Sequence, residues 1–504
     1  MKNKKIALVL AGILSITTIL GGCGSKSVSD DNYNKKITIM VPLVSANAPA
    51  KDNVVEKKLE ELTGYDIEVT WVPNSSYPDK VSITMASDKV PNIMVIQGKD
   101  AATISNVKKG AFWKIEDYLK DYENLSQGDE NIKLNASFNG EIYGIYRKRD
   151  VIRSSVIFRK DWLDKLGLQV PTTLEEFNNV LQKFKDNDPD GDGASNTTGM
   201  AIPKWTGLNS NSPFDQMTIW FGIPNTTEIK GGKVVPDFMT DKYMDTLDYF
   251  KYLYDNGLMN KDFAVLDSDK WDDEFVNGKA GVIVDTQSRA ASLAKKMVEK
   301  YGDDGQHGDS YVTIAGNITV GSQDNILPTT GYSGMLMMPK QGVKDENELK
   351  KMLAFLDKLN TEEVNSLLGI GIEGTHYEVK DGKYIPTTDK ELLNDIAAYA
   401  QMSMNVREYD TLQKEDGSKL QADRLALRES GLKKAVFDPC ASLISDVYSS
   451  KGAQLQNIMN DARIQYIAGQ IDKDSYEAAK KQWLSTGGQE YIDELTKLYN
   501  ENLK

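Results

Sequence analysis

The run Asn92–Gln97, NIMVIQ, is apolar without alternation, and it closes a succession of strand, helix, strand, helix and strand patterns that begins at about residue 37. A strand with no polar face is buried on both sides, so the sheet it joins is parallel and covered by helices above and below. The earlier patterns agree. KKITIMVPL predicts a strand at about 37–42, and Asp52 opens a helix whose Val55, Leu59 and Leu62 share one face before Gly64 stops it. DIEVTWV alternates Ile67, Val69 and Trp71, which predicts the second strand, and a helix follows at about 77–88. Ligands of such sheets lie beyond the carboxyl ends of the strands, here Leu43–Ser45 and Gly98–Asp100.

NGEIYGIYRKRD, 139–150, supplies an Asn-Gly turn and a strand leading out of this first unit. The segment 156–186 then reads as a strand, a helix at 161–166 stopped by Gly167, Pro171, and a Thr172/Thr173 cap with Glu175 and Glu176 in the next helix's first turn. A second αβ unit starts there. Further strands are predicted at 278–284 and 331–340, and a helix at NELKKMLAFLDKLN. The last hundred residues read as helical, with Ile492, Leu495 and Leu498 as a buried stripe. No 20–50-residue repeat and no low-complexity segment is present.

The amino terminus carries a different signal. Lys2, Lys4 and Lys5 precede an uncharged apolar stretch, residues 6–20, in the layout of a secretory signal peptide. At 15 residues it falls short of the roughly 20 that span a bilayer. Leu20–Cys23, LGGC, resembles a bacterial lipobox, whose cysteine takes a diacylglycerol and becomes the acylated amino terminus, palmitate being the expected acyl group. Cys23 is accordingly read as the lipidation site, against the plainer reading of cleavage near Gly22 with a leftover thiol. Two or three acyl chains anchor firmly, since each buried CH₂ contributes ~0.8 kcal/mol. Residues 24–36 are polar and aperiodic and suit a flexible tether.

The formal charge is −14, and loss of the signal's three lysines takes it to −17. An acidic surface argues against nucleic acid and anionic lipid as partners. It also weakly disfavours a polyanionic ligand, which only a local basic cleft would overrule. With Cys23 lipidated, Cys440 has no thiol partner, so an exported chain of about 480 residues relies on its core rather than on disulfides. His307 and His376 are the only histidines, and there is no Walker A loop, HExxH or GxSxG.

The ordered set FRKDWLDKLGLQVPTTLEEF (158–177), FVNGKAGV (275–282) and GIGIEGTHYEV (369–379), with the lipobox and the DPDGDG loop, resembles the extracellular solute-binding lipoproteins of Gram-positive ATP-binding-cassette (ABC) importers, family 1 type, in the long branch typified by LplA. The resemblance implies an α/β fold of the type II periplasmic-binding-protein class, two lobes on a hinge that closes over solute. The expected division is signal 1–22, tether 23–36, lobe one from 37–150 with a return at about 325–365, and lobe two from 151–324 with about 366–504. It also implies a non-catalytic monomer on the outer face of the cell membrane, which hands its ligand to a permease.

An oligosaccharide site wants flat aromatics against C–H faces and polar side chains for hydroxyls. Position in loops or at strand ends selects Trp205, Trp220, Trp271, Tyr332, Asp285, Arg289 and Asp100 from 7 Trp, 23 Tyr and 74 acids. For Trp271 the alternative is an aromatic that packs on lobe two. His376 and Tyr377, in GTHYE, are either cleft residues or part of the interlobe hinge.

Asp188, Asp190 and Asp192 stand at positions 1, 3 and 5 of DPDGDGASNTTG, with Gly193 at position 6, as in the start of an EF-hand loop. Ala194 would add a carbonyl and Asn196 a side-chain oxygen. Position 12 is Gly199 and not the bidentate glutamate, so a structural Ca²⁺ competes with a metal-free Asx turn. The leading functional expectation is oligosaccharide capture for import. An exported hydrolase, a sensor lipoprotein and a peptide ligand are the alternatives.

Overall fold

The computed structural model describes residues 35–45, 47–205, 211–409, 412–414 and 417–502. The signal segment, Cys23 and nearly all of the tether lie outside the described residues. Among the described residues no helix is long and apolar enough to cross a membrane.

The first sheet begins with β1 (Lys36–Leu43), β2 (Asp66–Pro73) and β3 (Ile93–Ile96). Helix α1 (Val54–Thr63) joins β1 to β2, and α2 (Tyr77–Met85) joins β2 to β3. Asn53, one residue after the expected Asp52, caps α1 by accepting from the Val55 and Glu56 amides, and Gly64 ends it at φ 75°. β4 (Gly144–Lys148) is at the far edge of this sheet.

The chain then builds a second sheet from β5 (Ser154–Arg159), β6 (Thr198–Met200), β9 (Ala280–Thr286) and β10 (Val312–Ala315), with a detached β7–β8 hairpin (Thr227–Lys230, Lys233–Pro236) between β6 and β9. Its order is β10-β5-β9-β6, with β5 and β9 antiparallel at Val156↔Val284. β11 (Tyr332–Met337) returns to the first sheet and lies antiparallel between β3 and β4, giving β2-β1-β3-β11-β4. β1, β2 and β3 are parallel to one another, and all four residues of β3 are buried.

Each sheet has its own core. Ile39, Met94, Leu336 and Leu353 belong to the first; Phe158, Trp162, Phe177 and Phe184 belong to the second. The C-terminal helices Asp446–Ile467 and Lys473–Trp483 pack on the second core through Leu455, Met459, Tyr476 and Trp483. Residues 366–406 depart from the expected division. Leu367, Leu368, Tyr399, Met402 and Val406 are buried in the first core. The Tyr399 hydroxyl lies 3.0 Å from Glu56 Oε2 on α1, and its ring stands edge-on to Trp71 at 5.3 Å. The expectation misplaced this stretch because a helical stripe shows that a face is buried, not against which neighbour.

The segment 438–446 touches both sides. Thr227 of β7 donates to Asp438 at 2.5 Å, while Asn139 donates its amide to the Ser442 carbonyl at 3.0 Å and accepts from the Ile444 amide at 2.8 Å. Lys108, the last residue of helix α3 (Ala101–Lys108), pairs with Asp446.

Candidate binding cavity between the two sheets

A cavity of about 510 Å³ opens where the strand ends of both sheets face the 438–456 segment. Lys99 follows β3, Arg149 and Arg153 flank the crossover from β4 to β5, and Thr286 ends β9. Pro328–Thr330 lead into β11, whose first residue is Tyr332, and all four line the cavity. The opposite wall presents Asn211, Gln216, Asn225, Thr227, Asp438 and Gln456, with Phe437, Tyr448 and Tyr491 as aromatic surface. Phe437 is 47% exposed, and the Tyr448 and Tyr491 rings lie 5.2 Å apart at 34°. Amides and hydroxyls interleaved with flat rings are the chemistry that a polyhydroxylated ligand needs.

Two ionisable groups in the wall are displaced from their usual ranges. Burial pulls the Lys99 ammonium down to about 7, offset in part by the Asp438 charge. Its Nζ donates to the Asn135 carbonyl at 2.8 Å and to the Ala441 carbonyl at 3.2 Å. Burial pushes the Asp438 carboxyl up to about 6, against hydrogen bonds from Thr227 and the Cys440 amide. Burial also pushes the Tyr332 phenol up to about 12.

The residues singled out in the sequence separate clearly. Tyr332 lines the cavity. Asp100 is the cap of α3, accepting from the Thr103 amide at 2.7 Å, and it is Lys99 beside it that faces the cavity. Trp220 is 2% exposed and stands edge-on to Phe177 at 5.8 Å, so it is a core residue. Trp271 is fully buried, and its indole donates to the Ala201 carbonyl at 2.9 Å. Trp205, half-buried, packs edge-on against Trp271 at 6.5 Å.

Asp285 and Arg289 pair with each other, and Arg289 extends the network to Asp272, itself 2.6 Å from Lys296. The Arg289 guanidinium lies 4.4 Å from the Trp271 ring centre. This network braces the helix Gln287–Tyr301 and contributes nothing to the cavity wall. His376 is 1% exposed; its Nδ1 accepts from the Ile372 amide at 3.1 Å, and burial holds the imidazole below its usual range. Tyr377 starts a separate hairpin, edge-on to Tyr384 at 5.9 Å.

Sequence reasoning missed Lys99, Arg149, Arg153, Asp438 and Tyr448. The run YRKRD followed by Arg153 carried a usable signal, since a basic cluster on a crossover between two sheets faces whatever lies between them.

In the acidic loop, carboxylate oxygens of Asp188, Asp190 and Asp192 lie within 4.8 Å of one another. Gly191 and Gly193 adopt φ of 78° and 80°, the left-handed conformation that wraps the chain around those oxygens. Burial and the neighbouring Asp188 push the Asp190 carboxyl up, and the hydrogen bond between the two pulls Asp188 down. Carboxylate oxygens gathered this closely are the hard ligands that a hard cation takes, so this donor set fits Ca²⁺. Asn196 turns its amide nitrogen onto Asp192 at 2.8 Å, and Ala194 donates its own amide to Asp192 at 2.7 Å. The fit therefore rests on the three aspartates.

The family model described as bacterial extracellular solute-binding protein matches residues 44–365. Lipoprotein LipO of Bacillus subtilis (strain 168) is 46% identical, over 100% of this chain and 99% of its own length. The polygalacturonan/rhamnogalacturonan-binding protein YtcQ of the same strain is 31% identical, over 99% and 100%. The solved structure of an HMO-binding, ABC-transporter-associated solute-binding protein from Bifidobacterium longum infantis superposes with TM-score 0.73 at 20% identity, covering 93% of this chain and 99% of that one. The fold is thus the type II periplasmic-binding-like one.

Proposed function

The chain belongs to the bacterial extracellular solute-binding proteins, and from that premise we propose that it captures an oligosaccharide outside the cell and delivers it, chemically unaltered, to an ABC permease. The observation that carries this reading is the cavity between the two sheets, where amide and hydroxyl side chains alternate with Phe437, Tyr332 and Tyr448. The name of the relative YtcQ supports a polysaccharide fragment as ligand.

The sheets act as two lobes, one from 37–150 with about 325–406 and the other from 151–324 with the C-terminal helices, and ligand selects the closed arrangement. Cys23 carries the lipid, a reading supported by LGGC and by the lipoprotein name of the relative LipO. Replacing Cys23 with Ser releases the protein into the medium and abolishes incorporation of labelled palmitate. Ca²⁺ held by Asp188, Asp190 and Asp192 has a structural role at the edge of the second lobe.

A hydrolase works with two carboxylates across its cleft. Among the described residues the cavity wall bears one, Asp438, which weighs toward capture. The test is a thermal-shift panel of glycans and peptides on the mature chain, followed by chromatography of each binder. A glycan that raises the melting temperature and is recovered whole supports the proposal. Shortened products favour the hydrolase, and stabilisation by peptides alone overturns the glycan reading. Co-purification with a permease distinguishes transport from sensing, in which a membrane kinase is the partner.

A further inference from the structure

The chain is acidic overall, at −14, yet among the described residues the cavity wall carries Lys99, Arg149 and Arg153 against one carboxylate, Asp438. Lys99 and Asp438 offset each other and are committed locally, the ammonium to two carbonyls and the carboxylate to Thr227 and the Cys440 amide. Two guanidiniums remain. They flank one short crossover, and partial burial first, then the charge of Arg153, disfavours the Arg149 charge.

Neighbouring acids offset this repulsion only in part, Asp150 at Arg149 and Asp285 at Arg153, because both carboxylates are hydrogen-bonded to other arginines. Asp150 pairs with Arg428 at 3.0 Å, and Asp285 is taken by Arg289. Among the described residues the Arg153 guanidinium donates to the Ser288 hydroxyl at 3.4 Å, and Arg149 has no side-chain hydrogen bond or ion pair. Arg149 is exposed and Arg153 half-buried at the cavity, so their guanidinium donors are open to a ligand, and an oxyanion placed there satisfies them and both charges at once.

We propose that Arg149 and Arg153 recognise an oxyanion on the ligand, so that the captured glycan is an acidic oligosaccharide. This rests on the glycan reading above and sharpens it. A uronate carboxylate and a sulfate ester share the required chemistry, two acceptor oxygens for a guanidinium fork. The net acidity of the chain does not oppose the assignment, because a cleft with low-dielectric walls sets its own local field.

The experiment is calorimetric titration of the mature chain with a galacturonate trimer, the methyl ester of that trimer, and a 6-O-sulfated neutral galacto-oligosaccharide beside its unsulfated parent. At least one acid binds about tenfold tighter than its uncharged counterpart, and the preference shrinks as salt is raised. The arm that shows the preference identifies the anion. In the R149Q/R153Q variant the affinity for that acid falls to that of its uncharged counterpart. R149K, which keeps the charge and loses the fork, falls between.

Equal affinity for both acids and their uncharged counterparts overturns the inference while leaving glycan capture standing. A preference that survives in R149Q/R153Q overturns the assignment to these residues. Binding of none of the four sugars removes the glycan reading itself, and this inference with it.

Discussion

Asp237 shows how much a single side chain can decide. Its carboxyl is buried against Phe238, whose amide donates to it at 2.8 Å, and burial, followed by the nearby Asp215 charge, pushes it up to about 8. The folded chain therefore keeps a proton that the unfolded chain loses above its ordinary value of 3.8. The contribution is fully present below that value and is lost as pH rises toward about 8, with a slope of up to about 1.4 kcal/mol per pH unit. Denaturation of wild type between pH 5 and pH 8 is expected to show this decline, and Asp237→Asn to flatten it; the same slope in the variant contradicts the account. At the cavity rim, Phe437→Ala is expected to weaken glycan binding between about threefold and tenfold by calorimetry, with the melting temperature unchanged. At this scale the sequence was least readable. Tyr332 opens β11 and lines the cavity, but Trp220 and Trp271 show that an aromatic in a polar-looking stretch is still most cheaply placed in a core.

Elements were more legible, because period and capping are local. The Thr173 cap with Glu176 is a formed capping box, and β3 is buried on both faces as NIMVIQ demands. Packing between elements follows from a few small residues. A Cβ on Gly281 of β9 would lie 2.1 Å from Phe184 Cδ2 and 2.8 Å from Trp162 Cε3, so the strand accepts these rings only because nothing projects there. Gly281→Ala is expected to cost about 1–3 kcal/mol or more in chemical denaturation, leaving Ca²⁺ response intact. The acidic loop is tested separately. Ca²⁺ at millimolar concentration is expected to raise the melting temperature and EDTA to reverse it, with Asp190→Asn abolishing the shift. No shift in wild type would leave the loop as an Asx-rich turn.

For the whole molecule, the decisive fact is that the chain crosses between the sheets and closes with a segment bonded to both. The crossover at 149–153 was readable as a connection, since strands bracket it, whereas the return into β11 was expected only from the family resemblance. The role of 438–446 was not. Its contacts to Asn139, Lys108 and Thr227 join residues hundreds of positions apart, and no local pattern encodes such a meeting. The placement of 366–406 on the first core escaped for the same reason. These connections leave two separately cored bodies around one cavity, the arrangement that hinge closure needs. Small-angle scattering of the mature chain, free and saturated with a glycan from the panel, measures this directly. The radius of gyration is expected to fall on saturation; a bound glycan with an unchanged scattering curve would contradict hinge closure.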